Sequence, residues 1–139
     1  MKNLPYILLV DDDPDDREAL MQPFGQQHPD VKVVAFEDGR ALLDFLEHCP
    51  SAELPAMILM DFKMPYCTAA EILEKLASDE RYSDILKLVW STSGRPDFVD
   101  QCFRHGADLY LTKPNSLPEL ASIVERISGA LNARLMRAH

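Results

Sequence analysis

Asp11 and Asp12, Asp61, Ser91 with Thr92, and Lys113 are the side chains whose types could do chemistry together: three carboxylates, hydroxyls and one primary amine. Each closes a short apolar run, Tyr6–Val10, Met57–Met60, Leu86–Trp90 and Asp108–Thr112 in turn. Three carboxylates brought into one low-dielectric crevice either raise their own pKa values or recruit a cation. Oxygen donors with room for water suit Mg2+ or Mn2+, and the lack of a nearby His or Cys argues against zinc. Such an ion neutralises phosphoryl oxygens during transfer, while Lys113 and the Ser91 hydroxyl can hold others. A carboxylate can then serve as nucleophile and form an aspartyl-phosphate.

Taken singly, each residue has a plainer reading. Asp61 reads as a strand-end acid, Ser91 as a turn former, Lys113 as a solvated lysine and Tyr110 as a strand residue between Leu109 and Leu111. Asp13 reads as a helix cap with Pro14 at the first helical position, and Asp15 and Asp16 as first-turn acids favoured by the macrodipole. Asp11 and Asp12 precede that helix and repel each other, so the cap does not explain them.

The elements that must position these groups alternate. Tyr6–Val10, Val31–Phe36, Met57–Met60, Leu86–Trp90 and Asp108–Thr112 read as strands, and Met57–Met60 reads as buried on both faces. The first helix runs from about Asp15 with Ala19, Leu20 and Phe24 inward, and Pro23 ends or kinks it. Glu37-Asp38-Gly39 reads as a turn, Arg40–His48 as a helix and Cys49–Pro55 as a loop. Ala69–Ala77 is the third helix. Pro96–His105 packs through Phe98, Val99, Cys102 and Phe103 and stops at Gly106. Ser116 and Glu119 form a capping-box pattern before a long helix with the apolar stripe Leu117, Leu120, Ile123, Val124, Ile127, Leu131 and Leu135. Strand–helix alternation implies an α/β fold: a parallel sheet of five strands covered by helices on both faces. In such sheets the ligand crevice lies beyond the carboxyl ends of the strands, where all the residues named first are found.

With 139 residues the chain has the size of one domain and no expected output domain. A net charge of -9 argues against DNA as partner, because backbone binding needs clustered Lys and Arg. No apolar run approaches the ~20 residues of a membrane span, and the start lacks the pattern of a signal peptide, so a cytoplasmic location is expected. Cys49, Cys67 and Cys102 are too scattered for a zinc site and read as free thiols.

Val10-Asp11-Asp12, Asp61 followed by Met64-Pro65, Val89-Trp90-Ser91 and Lys113-Pro114, each closing a strand in the right order, resemble the response-regulator receiver domain of two-component signalling. The resemblance implies a flavodoxin-like, doubly wound sheet of order 2-1-3-4-5 in one receiver domain over residues 1-139, with a core of about 6-137. It implies Asp61 as phosphoacceptor, Asp12 as direct metal ligand, Asp11 as its neighbour acting directly or through water, and Lys63 as a ligand through its backbone carbonyl. It makes Ser91 the hydroxyl on the phosphoryl group, Lys113 the cation tied to it and Tyr110 the aromatic switch. The implied activity is phosphoryl transfer to the chain's own Asp61 with Mg2+ or Mn2+ and slow autodephosphorylation, and no turnover as a conventional enzyme.

The implied donor is a sensor histidine kinase or a histidine phosphotransfer protein. The acid-proline start and Ser91-Thr92-Ser93 are similar to single-domain receivers, some of them paired with phytochrome-like kinases. The length of the last helix leaves room for a homodimer face there and on the fifth strand. Two departures stand out. Thr68-Ala69 replaces the family's usual Asp-Gly, which predicts a reshaped or strained loop, and Trp90 is larger than the usual residue. The first departure supports an alternative, a phosphorylation-independent interaction module. A Mg2+-dependent phosphatase is the weaker alternative, since Lys63 stands where its second Asp belongs.

Overall fold

In the computed structural model, which describes residues 5–137, the apolar runs and helical patterns become alternating strands and helices. The strands are β1 (Tyr6–Val10), β2 (Lys32–Phe36), β3 (Met57–Asp61), β4 (Leu86–Ser91) and β5 (Leu109–Thr112). The helices are α1 (Pro14–Gln27), α2 (Gly39–His48), α3 (Ala69–Ala77), α4 (Pro96–Arg104) and α5 (Leu117–Arg137). All pairings are parallel and the order is β2-β1-β3-β4-β5, as the resemblance implied.

Successive strand side chains point to opposite faces, so each strand feeds two cores. Leu8, Val10, Ile58, Met60 and Val89 pack with Leu42 and Leu46 of α2, Ile72, Leu73 and Leu76 of α3 and Cys102 of α4. Ile7, Leu9, Met57, Leu59, Leu88, Trp90 and Leu111 face α1 and α5, through Leu20, Phe24, Ile123, Val124, Ile127 and Leu131. Every residue of β3 is buried, as expected for a strand covered on both sides. At about 1.5–3 kcal/mol per buried aliphatic side chain, these two layers are the main force holding the strand ends in register.

Local chemistry sets the helix ends. Asp13 accepts a hydrogen bond from the Asp15 amide (2.9 Å) ahead of Pro14, and Asp38 accepts one from Ala41 (2.9 Å). The second helix therefore starts at Gly39, inside the expected turn. Gly106 takes φ 102° after α4, a left-handed angle open to glycine.

Several expectations are corrected. Helix α1 runs through Pro23 to Gln27; the missing Pro23 amide would have met the carbonyl of Ala19, which is exposed and faces water rather than the core. Val31 lies before β2 and donates to the His28 carbonyl (3.0 Å). The Cys49–Pro55 loop holds a turn of 3-10 helix at Ser51–Glu53. Phe103 and Leu117 are 46% and 81% exposed, so neither is core. The cysteines, by contrast, are free as expected.

Candidate functional site

The strand parity that builds the two cores also sorts the site. Asp11 continues the Ile7, Leu9 series, Asp61 the Met57, Leu59 series and Lys113 the series of Leu111, so all three turn toward α1 and α5. Register brings them level, since Asp61 pairs with Trp90, Trp90 with Leu111, and Ser91 with Thr112. Asp11, Asp61 and Lys113 are 0%, 8% and 9% exposed.

Lys113 Nζ donates to Asp61 Oδ2 (3.1 Å) and to Asp16 Oδ2 (2.7 Å). It also lies 2.8 Å from Asp11 Oδ2, close enough for an ion pair, yet that oxygen has no hydrogen-bond partner. The other Asp11 oxygen accepts from the Asp13 amide at 2.9 Å. Beneath the ammonium lies the Trp90 ring, with its centroid 5.1 Å from Nζ. Trp90 is thus accommodated as the buried floor of the lysine site, although its indole N–H is unpaired.

Ser91 and Tyr110 belong to the opposite parity. The Ser91 hydroxyl accepts from the Ser93 amide (3.1 Å), and the Tyr110 hydroxyl donates to the Ser93 carbonyl (2.6 Å). The two are linked through one short loop. The side chain of Lys63 is exposed and reaches over the Phe98 ring, with Nζ 5.4 Å from its centroid, and it is the Lys63 backbone that acts on the Asp61 carboxylate.

The turn after Asp61 does carry an unusual backbone angle, but not at Thr68-Ala69. Thr68 caps α3 in a complete capping box with Glu71, and buried Ala69 is the first helical residue, donating to the Phe62 carbonyl at 2.9 Å. Lys63 and Thr68 form an antiparallel bridge across the turn. A helical position suits alanine, so no glycine is needed there. The left-handed angle falls instead on Tyr66, at φ 77°, where Arg40 stacks 4.0 Å above its ring.

Burial, then the charge of Asp11, push the Asp61 carboxyl up to about 6, against Lys113 and the Lys63 backbone. Burial likewise raises Asp11 above 3.8, against its contacts with Lys113 and the Asp13 amide. For Lys113 burial disfavours the ammonium, but contacts with Asp11, Asp16 and Asp61 outweigh it and raise its pKa. The negative charge of the site exceeds what one lysine balances. Asp11, exposed Asp12 and Asp61 each offer one oxygen, and these lie within 4.8 Å of one another. An all-oxygen donor set with an orphaned Asp11 oxygen fits a hard divalent cation.

Asp16 is the contact the sequence reading missed. It does lie in the first turn of a helix, but Asp16, Leu20 and Phe24 also share one helical stripe, and Leu20 and Phe24 are buried. That spacing aims Asp16 at the sheet, one turn above the core.

The response regulator receiver domain family matches residues 7–125, and the chain belongs to it. Response regulator Rre1 of Synechocystis sp. is 31% identical over 121 residues, which cover 87% of this chain and 50% of that protein. The chain therefore matches about half the length of that relative. The Mn2+-bound form of response regulator Rcp1 shares the fold with a TM-score of 0.79 and 26% identity, over 88% of this chain and 91% of that one. The phosphorylated cyanobacterial phytochrome response regulator RcpA gives a TM-score of 0.80 and 26% identity, over 88% and 90%. No helix among the described residues is long and apolar enough to cross a membrane.

Proposed function

We propose that this receiver domain accepts a phosphoryl group on Asp61 from the phosphohistidine of a sensor histidine kinase or histidine phosphotransfer protein. The observation that carries this reading is the buried Lys113 ammonium bound to Asp61 Oδ2 beside the acids Asp11 and Asp12. An Asp61 oxygen attacks phosphorus, the new P–O bond forms as the P–N bond breaks, and the electron pair stays with the departing imidazole. Lys113 and the Ser91 hydroxyl donate to the incoming phosphoryl oxygens. Asp11, Asp12, Asp61 and the Lys63 carbonyl would hold Mg2+, with Mn2+ as a substitute. When bound, the ion supplies positive charge to the phosphoryl oxygens.

Drawing Ser91 toward the new charge breaks its bond with the Ser93 amide and moves the carbonyl on which Tyr110 rests. The loop after β4 and the Tyr110 ring then change the surface offered to a partner protein. Water later hydrolyses the acyl phosphate slowly, so the chain is a self-modifying switch and not a turnover enzyme. A phytochrome-like kinase in the cytoplasm, no contact with DNA or membrane, and a homodimer through α5 and β5 complete the proposal.

The test is incubation with Mg2+ and acetyl phosphate, or with beryllofluoride, beside a known receiver as control. Wild type should gain a phosphoryl or beryllofluoride signal and Asp61→Asn should gain none. Absence of signal in wild type, where the control responds, overturns the reading.

A further inference from the structure

An ammonium has three N–H donors. Lys113 sends two of them to Asp16 (2.7 Å) and Asp61 (3.1 Å) and lies 2.8 Å from Asp11 as an ion pair, and the longest of the three contacts is the one to the phosphoacceptor. Asp11 cannot follow the lysine, because it is fully buried and its second oxygen is tied to the Asp13 amide. Asp16 differs. It sits in the first turn of α1, and its side chain is 36% exposed, so water can replace Lys113 as its partner.

We propose that Asp16 is a positioning residue that competes with the phosphoryl group for Lys113, and so sets how tightly the phosphorylated geometry is held. This rests on the reading of Asp61 as phosphoacceptor. A phosphoryl group on Asp61 draws the Lys113 ammonium toward its own oxygens, and the ammonium moves only by loosening its hold on the carboxylates around it. The Asp16 bond is the one whose loss is offset by solvent. Asp16 also places a negative charge one lysine away from an incoming anion. Both effects oppose capture, and both act through the Nζ atom above Trp90. As long as Asp16 keeps its hold, the unphosphorylated arrangement is favoured. Removing its charge frees one donor for the phosphoryl oxygens and weakens the local repulsion.

Beryllofluoride, which binds a receiver aspartate as a phosphoryl mimic, measures this at equilibrium in the full chain with Mg2+. Trp90 is the single tryptophan and lies 5.1 Å from Lys113 Nζ, so its fluorescence reports the lysine's movement. Asp16→Asn should bind beryllofluoride roughly three- to tenfold more tightly than wild type, the size of one partly exposed charge pair. Asp16→Glu, which restores the carboxylate on a longer arm, should return at least half of that change on a logarithmic scale. Asp15→Asn removes the same charge from the same helical turn without touching Lys113 and should stay within about twofold. A merely structural Asp16 would shift the melting temperature and leave the midpoint unmoved.

Equal midpoints for Asp16→Asn and Asp15→Asn, or weaker binding by Asp16→Asn, overturn the inference while leaving Asp61 as phosphoacceptor. No response in wild type overturns the phosphoacceptor reading, and this inference with it.

Discussion

Two lysines are buried at opposite edges of the same sheet, and they are held in opposite ways. Lys87, near the start of β4, is 8% exposed and donates to the backbone carbonyls of Tyr82 and Ile85, both at 2.9 Å. Lys113, just past β5, is 9% exposed and meets three carboxylates. Burial lowers the pKa of Lys87 despite the charges of Asp108 and Asp84, whereas at Lys113 the surrounding acids reverse the direction. Carbonyl dipoles satisfy the donors of an ammonium without balancing its charge; carboxylates do both. The first arrangement is a clasp for the turn before β4. The second stores attraction that a new anion can redirect, which is what the proposed phosphoacceptor role needs.

Substitution of each lysine by methionine, at similar volume, separates the roles. Lys113→Met strands buried negative charge and should lose about 3–5 kcal/mol of stability at neutral pH without divalent cation. Added Mg2+ should recover part of this in denaturant titrations, and beryllofluoride capture should be lost. If Mg2+ recovers nothing, the acids do not act as one site.

Asp61→Asn probes the same excess of negative charge from the other side. The Asp61 carboxyl, raised from 3.8 to about 6, binds its proton more tightly in the folded chain than in the unfolded one. Its favourable contribution is therefore complete below 3.8 and is lost as pH rises through about 6. Two units at about 1.4 kcal/mol each set the gain of Asp61→Asn at neutral pH, without divalent cation, at up to about 3 kcal/mol. The advantage should vanish as pH falls from about 6 to 3.8 in urea unfolding. An advantage that grows on acidification would reverse the sign assigned to this carboxylate.

The smallest effect belongs to the clasp. Lys87→Met leaves the Ile85 carbonyl unpaired, while the Tyr82 carbonyl keeps the Ile85 amide, and should cost about 1–2 kcal/mol, with no dependence on Mg2+ and an unchanged beryllofluoride midpoint. A shifted midpoint would mean that the two edges of the sheet are coupled.

Much of the site was legible because each of its chemical groups ends an apolar strand, and a parallel sheet delivers strand ends to one edge. Asp11, Asp61, Ser91 and Lys113 needed no more than that. Errors arose where local pattern competes with packing. Pro23 offers an end or a kink, and the helix does not end there: one missing amide at an exposed carbonyl does not stop a helix anchored by Leu20 and Phe24. Phe103 and Leu117 fit helical stripes, yet stand at the margins of α4 and α5 with little to cover them. Thr68-Ala69 looked like a defect when compared with Asp-Gly; as cap and first residue of a helix it is ordinary, and the unusual backbone lies at Tyr66.

By itself the sequence determined the alternation of strands and helices, the two-sided burial of β3 and the kind of chemistry available at the strand ends. These follow from periodicity and residue type, which are local. Tertiary structure alone decided that Lys113 meets Asp16, 97 positions away, and that Trp90 lies beneath the lysine. That contact depends on how α1 rotates and docks against the sheet beside α5, a result of packing the whole core that no single segment carries.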